Sequence, residues 1–138
     1  MDYAKALGSN LPVGSKQIVL FTPAKDKDGE DIDQEYWVRE ALKCCGFLFR
    51  GATAFPPGKG VWRNDEKGQE LLIEETVMVI SYVNPEDLNK ENLKFLRSFL
   101  HHMGRRANQG EIGIVVDGNY YGICEYDIEG ESDGEERN

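Results

Sequence analysis

Histidine and cysteine are scarce in this sequence, and their scarcity restricts the chemistry that the chain can carry. There are only two histidines, His101 and His102, and the three cysteines form no Cys-x-x-Cys pair. A zinc site built from several histidines or from paired cysteines is therefore excluded, because such sites need three or four protein ligands. Cys44, Cys45 and Cys124 are expected to be reduced thiols with a structural role.

Long apolar runs are also missing. No stretch of about 18 consecutive apolar residues occurs, so no membrane-spanning helix is predicted. Residues 1–16 lack the basic start and continuous apolar stretch of a secretion signal, which favours a cytoplasmic location. The glycines around Lys59 do not have the spacing of a phosphate-binding G-x-x-x-x-G-K-[ST] loop, and no cofactor is predicted.

Positive charge is the third shortage. The chain has 16 Lys and Arg against 25 Asp and Glu, and its net charge of -9 makes nucleic acid an unfavoured partner. Residues 125–138 hold seven of the acids and one arginine, which leaves -3 on the rest of the chain. We predict that this segment is a disordered acidic tail, because it combines low hydrophobicity with self-repulsion. Alternatively, it mimics nucleic acid and occupies a basic groove on a partner or on the protein itself.

The remaining composition suits one domain, because 138 residues with 40% hydrophobic content are enough for a two-layer core. We assign residues 1–16 to an N-terminal segment and residues 17–124 to the domain. A strand is predicted at 17–22, followed by a helix that Asp31 or Asp33 caps and that Gly46 could end early. Its apolar residues recur at helical spacing: Trp37, Ala41, Cys45 and Leu48.

A hairpin and a second helix are predicted next. Residues 51–83 form two extended stretches around the turn-rich "NDEKG", with the second arm at 70–83. Pro56 and Pro57 cannot donate to a ladder, so the first arm is expected to be an edge strand or kinked. After Pro85, an apolar stripe indicates a helix that faces the core: Leu93, Leu96, Leu100 and Met103, widened by Phe95 and Phe99. Asp117-Gly118 then predicts a tight C-terminal hairpin.

The resulting order β-α-β-β-α-β-β indicates an α+β two-layer sandwich. We predict a ferredoxin-like antiparallel sheet with two helices on one face, extended by the C-terminal hairpin. Both faces of the run "VMVI" at 77–80 are apolar, although a sheet with one bare face should alternate apolar with polar residues. We therefore expect the second face to be covered by the N-terminal segment or by a second copy, and a homodimer is predicted.

A basic surface on the second long helix is the best candidate for a functional site. Arg97, His101 and Arg105 are spaced by four, and no acid occurs from Asn92 to Gly110. If the helix passes through Gly104, Gln109 extends this row; if Gly104 is a C-terminal cap, the helix dipole favours cations there. The predicted site for an anionic ligand or an acidic partner consists of Arg97, His101, Arg105, Arg106, Asn108 and Gln109.

Enzymatic chemistry is the alternative. His101 and Glu111 flank one helix-to-strand junction and are the candidate catalytic pair, with Arg105 and Arg106 holding a phosphate ester. A magnesium site from Glu74, Glu75, Glu111 and Asp117 is also conceivable, although neighbouring strand residues face opposite ways, and no metal site is predicted. Three functions therefore remain: a non-enzymatic binding or regulatory module, a small phosphoester-processing enzyme, and an acidic inhibitor or immunity-type interaction protein.

Two stretches of the chain resemble small bacterial proteins of uncharacterised function. The first is "GKGVWRNDEKGQELLIEETVMVISYV", with Gly60, Trp62, Arg63, Gly68 and then Glu74 or Glu75 before a β-rich run. The second is "FLHHMGRRANQGEIGIVVDGNYYGI". The resemblance implies a compact α+β domain of unknown function. It implies no substrate and no catalytic residue.

Overall fold

A computed structural model describes residues 1–128 of the chain. Within this range there are three α-helices: Tyr3–Leu7 (α1), Gln34–Phe49 (α2) and Lys90–Arg106 (α3). The strands of the same range are Lys16–Pro23 (β1), Thr53–Ala54 (β2), Gly58–Asn64 (β3), Glu70–Val83 (β4), Ile112–Val116 (β5) and Asn119–Ile123 (β6). Short 3-10 turns at Asp65–Lys67 and Pro85–Asp87 precede β4 and α3. None of the described helices is long and apolar enough to cross a membrane.

The strands form one antiparallel sheet in which β1 is central. The order is β2-β4-β1-β5-β6, and β3 also pairs with β4. Four strands, in the order β3-β4-β1-β5, together with α2 and α3 make up the ferredoxin-like arrangement, and β6 adds the C-terminal hairpin. The predicted α+β two-layer sandwich is confirmed. The division into an N-terminal segment, residues 1–16, and a domain, residues 17–124, stays a prediction.

Local sequence explains where α2 begins and ends. Its N-terminus is capped by Asp33, whose carboxylate accepts a hydrogen bond from the Tyr36 N–H at 3.1 Å. The helix continues through Gly46 to Phe49, so Gly46 does not end it early. Arg50 closes the helix in the left-handed region at φ 75°, with its N–H donating to the Gly46 carbonyl oxygen.

The first arm of the hairpin is divided by its two prolines, as predicted. β2 pairs with β4 at Ile80 and Val79, whereas β3 pairs with the stretch 70–76 of the same strand. Both segments therefore follow one edge of β4. The break falls at Pro56 and Pro57 because neither has an N–H to donate to the ladder.

The core lies between the sheet and the helices. On the sheet side Ile18, Leu20, Val79 and Val83 are fully buried, and the helices bury Ala41, Cys45, Leu96, Leu100 and Met103 against them. The predicted stripe of α3 is confirmed only from Leu96 onward. Leu93 lies in the first turn, and Phe95 is about 100° around the helix from Leu96. These two side chains remain 40% and 48% exposed.

The opposite side of the sheet is apolar and only partly covered, and we call it the open face. It carries Phe21 of β1 and Met78, Ile80 and Tyr82 of β4. The N-terminal segment reaches one end of it, where a Cβ on Gly14 would lie 3.4 Å from Tyr82. Met78 is still 40% exposed and Tyr82 69% exposed, so this segment covers the open face only in part.

The C-terminal hairpin turns at Asp117 and Gly118, with φ values of 50° and 86°. These positive values are the ones that a two-residue type I′ turn requires, so the prediction for this dipeptide is confirmed.

Candidate functional site

The second long helix passes through Gly104, so this glycine is not a C-terminal cap, but the helix ends before Gln109 and this residue does not extend the row. α3 ends at Arg106, and the Gln109 N–H donates to the Gly104 carbonyl oxygen at 2.9 Å. Because the helix is continuous, Arg97, His101 and Arg105 lie in one row along its surface.

This row binds a carboxylate of the same chain. The two guanidinium nitrogens Nε and Nη2 of Arg97 donate to the two carboxylate oxygens of Asp127, each at 2.9 Å. The N–H of Asp127 donates to Nδ1 of His101 at 2.8 Å, and Nη1 of Arg105 donates to the Asp127 carbonyl oxygen. Bidentate, charge-assisted pairs of this kind are the stronger class of hydrogen bond. Arg97, His101 and Arg105 therefore all contact Asp127.

The residue before Asp127 fits against a glycine of the helix. A Cβ added to Gly104 would lie 2.2 Å from Cε1 of the Tyr126 ring, so only glycine leaves room for this ring. The Tyr126 hydroxyl donates to the Gln109 carbonyl oxygen at 2.9 Å, and its ring meets His101 edge-on at 6.0 Å. Glycine inside a helix lowers helix stability by about 1 kcal/mol relative to alanine. The packing of the Tyr126 ring against Gly104 offsets this cost.

We call the surface formed by Arg97, His101, Gly104, Arg105 and Gln109 the α3 groove. His101 is 8% exposed, and its Nδ1 accepts a hydrogen bond, which assigns the neutral tautomer with the proton on Nε2. Burial lowers the pKa of His101, as do Arg97 and Arg105, against an opposing effect of Asp127. The hydrogen bond from Arg97 lowers the pKa of Asp127. The groove therefore holds a neutral imidazole and an ionised carboxylate near neutral pH.

Two other predicted binding residues connect the end of α3 to the loop after β1. Nδ2 of Asn108 donates to the carboxylates of Asp26 and Asp28, at 3.2 and 2.9 Å. Nε2 of Gln109 donates to the Lys25 carbonyl oxygen at 2.9 Å, so this side chain points away from Asp127.

Arg106 belongs to the second row of α3, about 100° around the helix from Arg105. In that row, the His102 ring packs edge-on against Trp37 at 5.7 Å. The structure thus brings Arg97, His101 and Arg105 together on one ligand. It places Arg106, Asn108 and the amide of Gln109 in other surroundings.

The candidate catalytic pair has separate partners. The Glu111 carboxylate accepts a hydrogen bond from the Tyr120 hydroxyl at 2.5 Å on the C-terminal hairpin, whereas His101 faces Asp127. Burial raises the pKa of Tyr120, and so does its hydrogen bond to Glu111. The lone pair at Nδ1 of His101 already accepts the Asp127 N–H, so His101 cannot act as a base while this hydrogen bond is formed.

The proposed magnesium ligands are distributed over different surroundings. Oε1 of Glu74 accepts the N–H groups of Ala24 and Lys25 at 3.0 and 3.2 Å, and Asp117 pairs with Lys16 at 3.0 Å. Within residues 1–128, no three His, Cys, Asp or Glu side chains gather closely enough to hold a metal ion.

The cysteines are unpaired thiols. Burial raises the pKa of Cys44 to about 12 and that of Cys45 to about 11, which keeps both protonated. Neither has the lowered pKa of a nucleophilic cysteine.

Sequence reasoning missed the two residues that fill the α3 groove. Tyr126 and Asp127 fall inside the predicted disordered tail, yet the structure packs both onto α3; residues 129–138 of that tail lie outside the described part. Two signals pointed to them. The helix has no acid of its own from Asn92 onward, and Gly104 interrupts an otherwise good helix without ending it.

A concave feature of the described chain lies at the end of α2. It is a shallow cleft of about 640 Å³ between the N-terminal segment, the residues after α2 and β4. Its lining includes Leu11, Phe49, Arg50, Thr53, Tyr82 and Asn84. The volume is within the range of small-molecule sites, and Tyr82 places an aromatic ring at its rim.

Comparison with known proteins identifies a fold. No protein-family model matches the chain, and no curated protein does. Among solved structures, the chain is similar to a phage SAM lyase in complex with S-methyl-5'-thioadenosine, with a TM-score of 0.62 and 17% identity over 84% of this chain and 94% of that one. A phage SAM lyase in the apo state gives 0.58 and 19% identity, covering 87% and 98%. At such identities the likeness shows the shared architecture.

Proposed function

We propose that this protein is a binding or regulatory module that recognises an anionic ligand or an acidic partner through the α3 groove. The observation that carries the proposal is the convergence of Arg97, His101 and Arg105 on one carboxylate-bearing residue. All three side chains of the row contact this one residue, and Arg97 binds its carboxylate.

The state of the histidine favours binding over catalysis. His101 uses Nδ1 to accept a backbone N–H, and burial lowers its pKa, so it acts as a positioned neutral acceptor. An anion site needs only fixed donors and acceptors of this kind. A general base needs a free lone pair directed at a substrate proton.

Removing the resident carboxylate tests this proposal. We expect Asp127→Ala to bind acetate or inorganic phosphate in calorimetric titration, and the anion to raise the melting temperature by mass action. Adding Arg97→Gln should abolish this binding, whereas Arg39→Gln should leave it intact, because Arg39 lies on α2 near Glu35. A folded Asp127→Ala chain that binds neither anion rejects the proposal.

We further propose that the module is a homodimer in the cytoplasm. The open face supports the dimer, because Met78 and Tyr82 are exposed on a surface whose sequence is as apolar as the buried one. Met78→Lys should reduce the sedimentation coefficient to that of a monomer. Phe47→Lys is the matched control, since Phe47 is 88% exposed on α2, away from that face. A wild-type monomer at micromolar concentration rejects the dimer.

A second candidate function is an enzyme that acts on SAM or a related nucleoside. It is supported by the similarity to the two phage SAM lyase structures and by the 640 Å³ cleft. If the cleft is the site, the bond between the sulfonium sulfur of SAM and its amino acid chain should break as the substrate's own carboxylate displaces the sulfur. Incubation with SAM should then release S-methyl-5'-thioadenosine and homoserine lactone, both detected by chromatography. Tyr82→Ala should reduce the rate about tenfold or more by removing a stacking ring, while Tyr121→Ala should not. No product from the folded wild-type chain rejects this candidate.

The phosphoester alternative stays a prediction that one variant tests. His101→Ala must eliminate turnover of a phosphate ester without unfolding the chain if His101 and Glu111 move the protons. An acidic inhibitor that acts through residues 125–138 would instead lose its contact when that segment is deleted.

A further inference from the structure

We infer that the α3 groove is a peptide-recognition site for an aromatic residue followed by an acidic one, with the chain's own Tyr126 and Asp127 as its resident ligand. The inference rests on the proposed binding function and names the class of ligand that the groove takes. The ligand class is a polypeptide, because a simple anion can form only some of the hydrogen bonds that the α3 groove makes to Asp127.

Two contacts of the groove are made to main chain. His101 accepts the N–H of Asp127, and Arg105 donates to the carbonyl oxygen of the same residue. An inorganic anion has no N–H to offer His101. A peptide supplies the donor and the acceptor at the fixed separation of one residue, which is the pairing that strand-like recognition uses.

Two further contacts select side chains. Arg97 clamps the carboxylate in a bidentate pair, which favours Asp over a neutral residue at this position. Gly104 seats the preceding ring, and the Gln109 carbonyl oxygen accepts its hydroxyl. Burial raises the pKa of Tyr126 to about 12, so the phenol keeps the proton that it donates. The groove therefore distinguishes two adjacent residues by charge and by shape.

The resident ligand is held by a short connection. β6 ends at Ile123, so only Cys124 and Glu125 separate the sheet from Tyr126. A tether of this length gives an effective concentration on the order of millimolar or higher, which a free peptide at micromolar concentration does not overcome. In the wild-type chain the groove is therefore closed to peptides in trans. It becomes available when the segment is vacated.

The test uses the full chain with Tyr126→Ala and Asp127→Ala together. The ligand is a fluorescently labelled peptide, acetyl-Glu-Tyr-Asp-Ile-amide, and the readout is fluorescence anisotropy. We expect it to bind the vacated chain at least about tenfold more tightly than the wild type, because the resident ligand no longer competes. Circular dichroism confirms the fold, and if the double variant unfolds, Asp127→Ala alone takes its place.

Specificity is tested on both partners. Replacing Asp by Asn or Tyr by Ala in the peptide should each weaken binding about tenfold, the loss of one good contact. In the vacated chain, Arg97→Gln should abolish binding of the peptide, whereas Arg39→Gln should preserve it. Gly104→Ala should also abolish it, because the new methyl fills the seat of the ring while raising helix propensity.

The outcomes separate this inference from the proposed function. A vacated chain that binds acetate but not the peptide overturns the inference and leaves the anion site standing. A folded vacated chain that binds neither overturns both. Peptide binding that survives Arg97→Gln, or that is equally strong in the wild type, also overturns the inference, since the groove is then not the site or is not occupied by its own segment.

Discussion

The two faces of the sheet have similar sequences and different surroundings. On the covered face, Ile18 and Val79 are fully buried under α2 and α3. On the open face, Met78 lies next to Val79 in the chain and is 40% exposed. An alternating strand shows which residues share a face, but it does not show what lies on that face. What differs here is the presence of two helices, so the burial of each face depends on topology and on partners.

The largest expected effect contrasts one truncation on each face. Leu20→Ala should lower the free energy of unfolding by about 2–5 kcal/mol, because it leaves a cavity in a packed core. Met78→Ala should cost under about 1 kcal/mol in the monomer, since its side chain already contacts solvent. Urea unfolding measures both, at a protein concentration low enough for the chain to sediment as a monomer. Equal losses under these conditions would mean that the open face is covered within the monomer.

The next contrast uses a glycine and tyrosine pair on each side of the sheet. Gly104 lies under Tyr126 on the helical side, and Gly113 lies under Tyr120 on the open face, where a Cβ would come 2.4 Å from the hydroxyl oxygen. In the wild type, Gly104→Ala should expel the ring and destabilise the chain by about 1 kcal/mol. In a Tyr126→Ala background the same change should stabilise it by about 1 kcal/mol, because only helix propensity remains.

The matched pair on the open face is Gly113→Ala with and without Tyr120→Ala. Gly113→Ala should lower the free energy of unfolding when the Tyr120 ring is present. It should raise the free energy of unfolding by about 0.5–1 kcal/mol when the ring is absent. Thermal unfolding of the wild type, the four single variants and the two double variants measures both cycles. A Gly104→Ala effect that is independent of Tyr126 would contradict the packing described for the α3 groove.

Between pH 7.5 and 5, a range that brackets about pH 6.5, a pH effect on stability is expected from the helical side of the sheet. The folded state lowers the pKa of His101 through burial, with Arg97 and Arg105 acting in the same direction and Asp127 opposing. The unfolded chain therefore binds a proton first, and the stability that depends on neutral His101 is present above about pH 6.5 and is lost as pH falls further.

Asp127, whose pKa is also lowered, adds a second loss at more acidic pH, below its unfolded value of 3.8. Unfolding curves are measured between pH 7.5 and 5, a range that brackets about pH 6.5. They should show the loss of stability that depends on neutral His101 in the wild type but not in His101→Gln. His102→Gln is the matched control and should keep the decline. A decline that persists in His101→Gln would assign it to another group.

The smallest effect is expected at the exposed end of the β3 and β4 hairpin. Arg63 pairs with Asp65 there, and both side chains are more than half exposed. Arg63→Gln should change the unfolding free energy by less than about 0.5 kcal/mol, because solvent and salt screen such pairs. A larger loss, measured in low and high salt, would show that this end of the hairpin is buried in an assembly.

The sequence predicts most of the sheet and helices because their determinants are local. Strand β4 was predicted with the limits it has, and the turn at Asp117 follows from one dipeptide. The prolines between β2 and β3 likewise act through a missing donor, which is visible in the sequence. These features need no knowledge of distant residues.

The α3 groove was predicted only in part because its ligand comes from elsewhere in the chain. The spacing of Arg97, His101 and Arg105 identified the row, but Asp127 is 30 positions from Arg97. Composition placed Asp127 in an acidic tail, and composition does not register that Gly104 makes room for the ring beside it. Long-range fit of this kind depends on tertiary structure, which a local pattern does not contain.

The prolines between β2 and β3 have a consequence for self-association into fibrils. They interrupt the outer edge of the sheet beside β4. A strand from another molecule that pairs with this edge therefore finds two positions that have no backbone N–H to donate. Unbroken edges are templates for edge-to-edge aggregation, and proline is one of the devices that blocks it. Concentrated solutions of this protein should therefore resist amyloid formation at that edge, and replacing both prolines should shorten the lag time of thioflavin-positive aggregation.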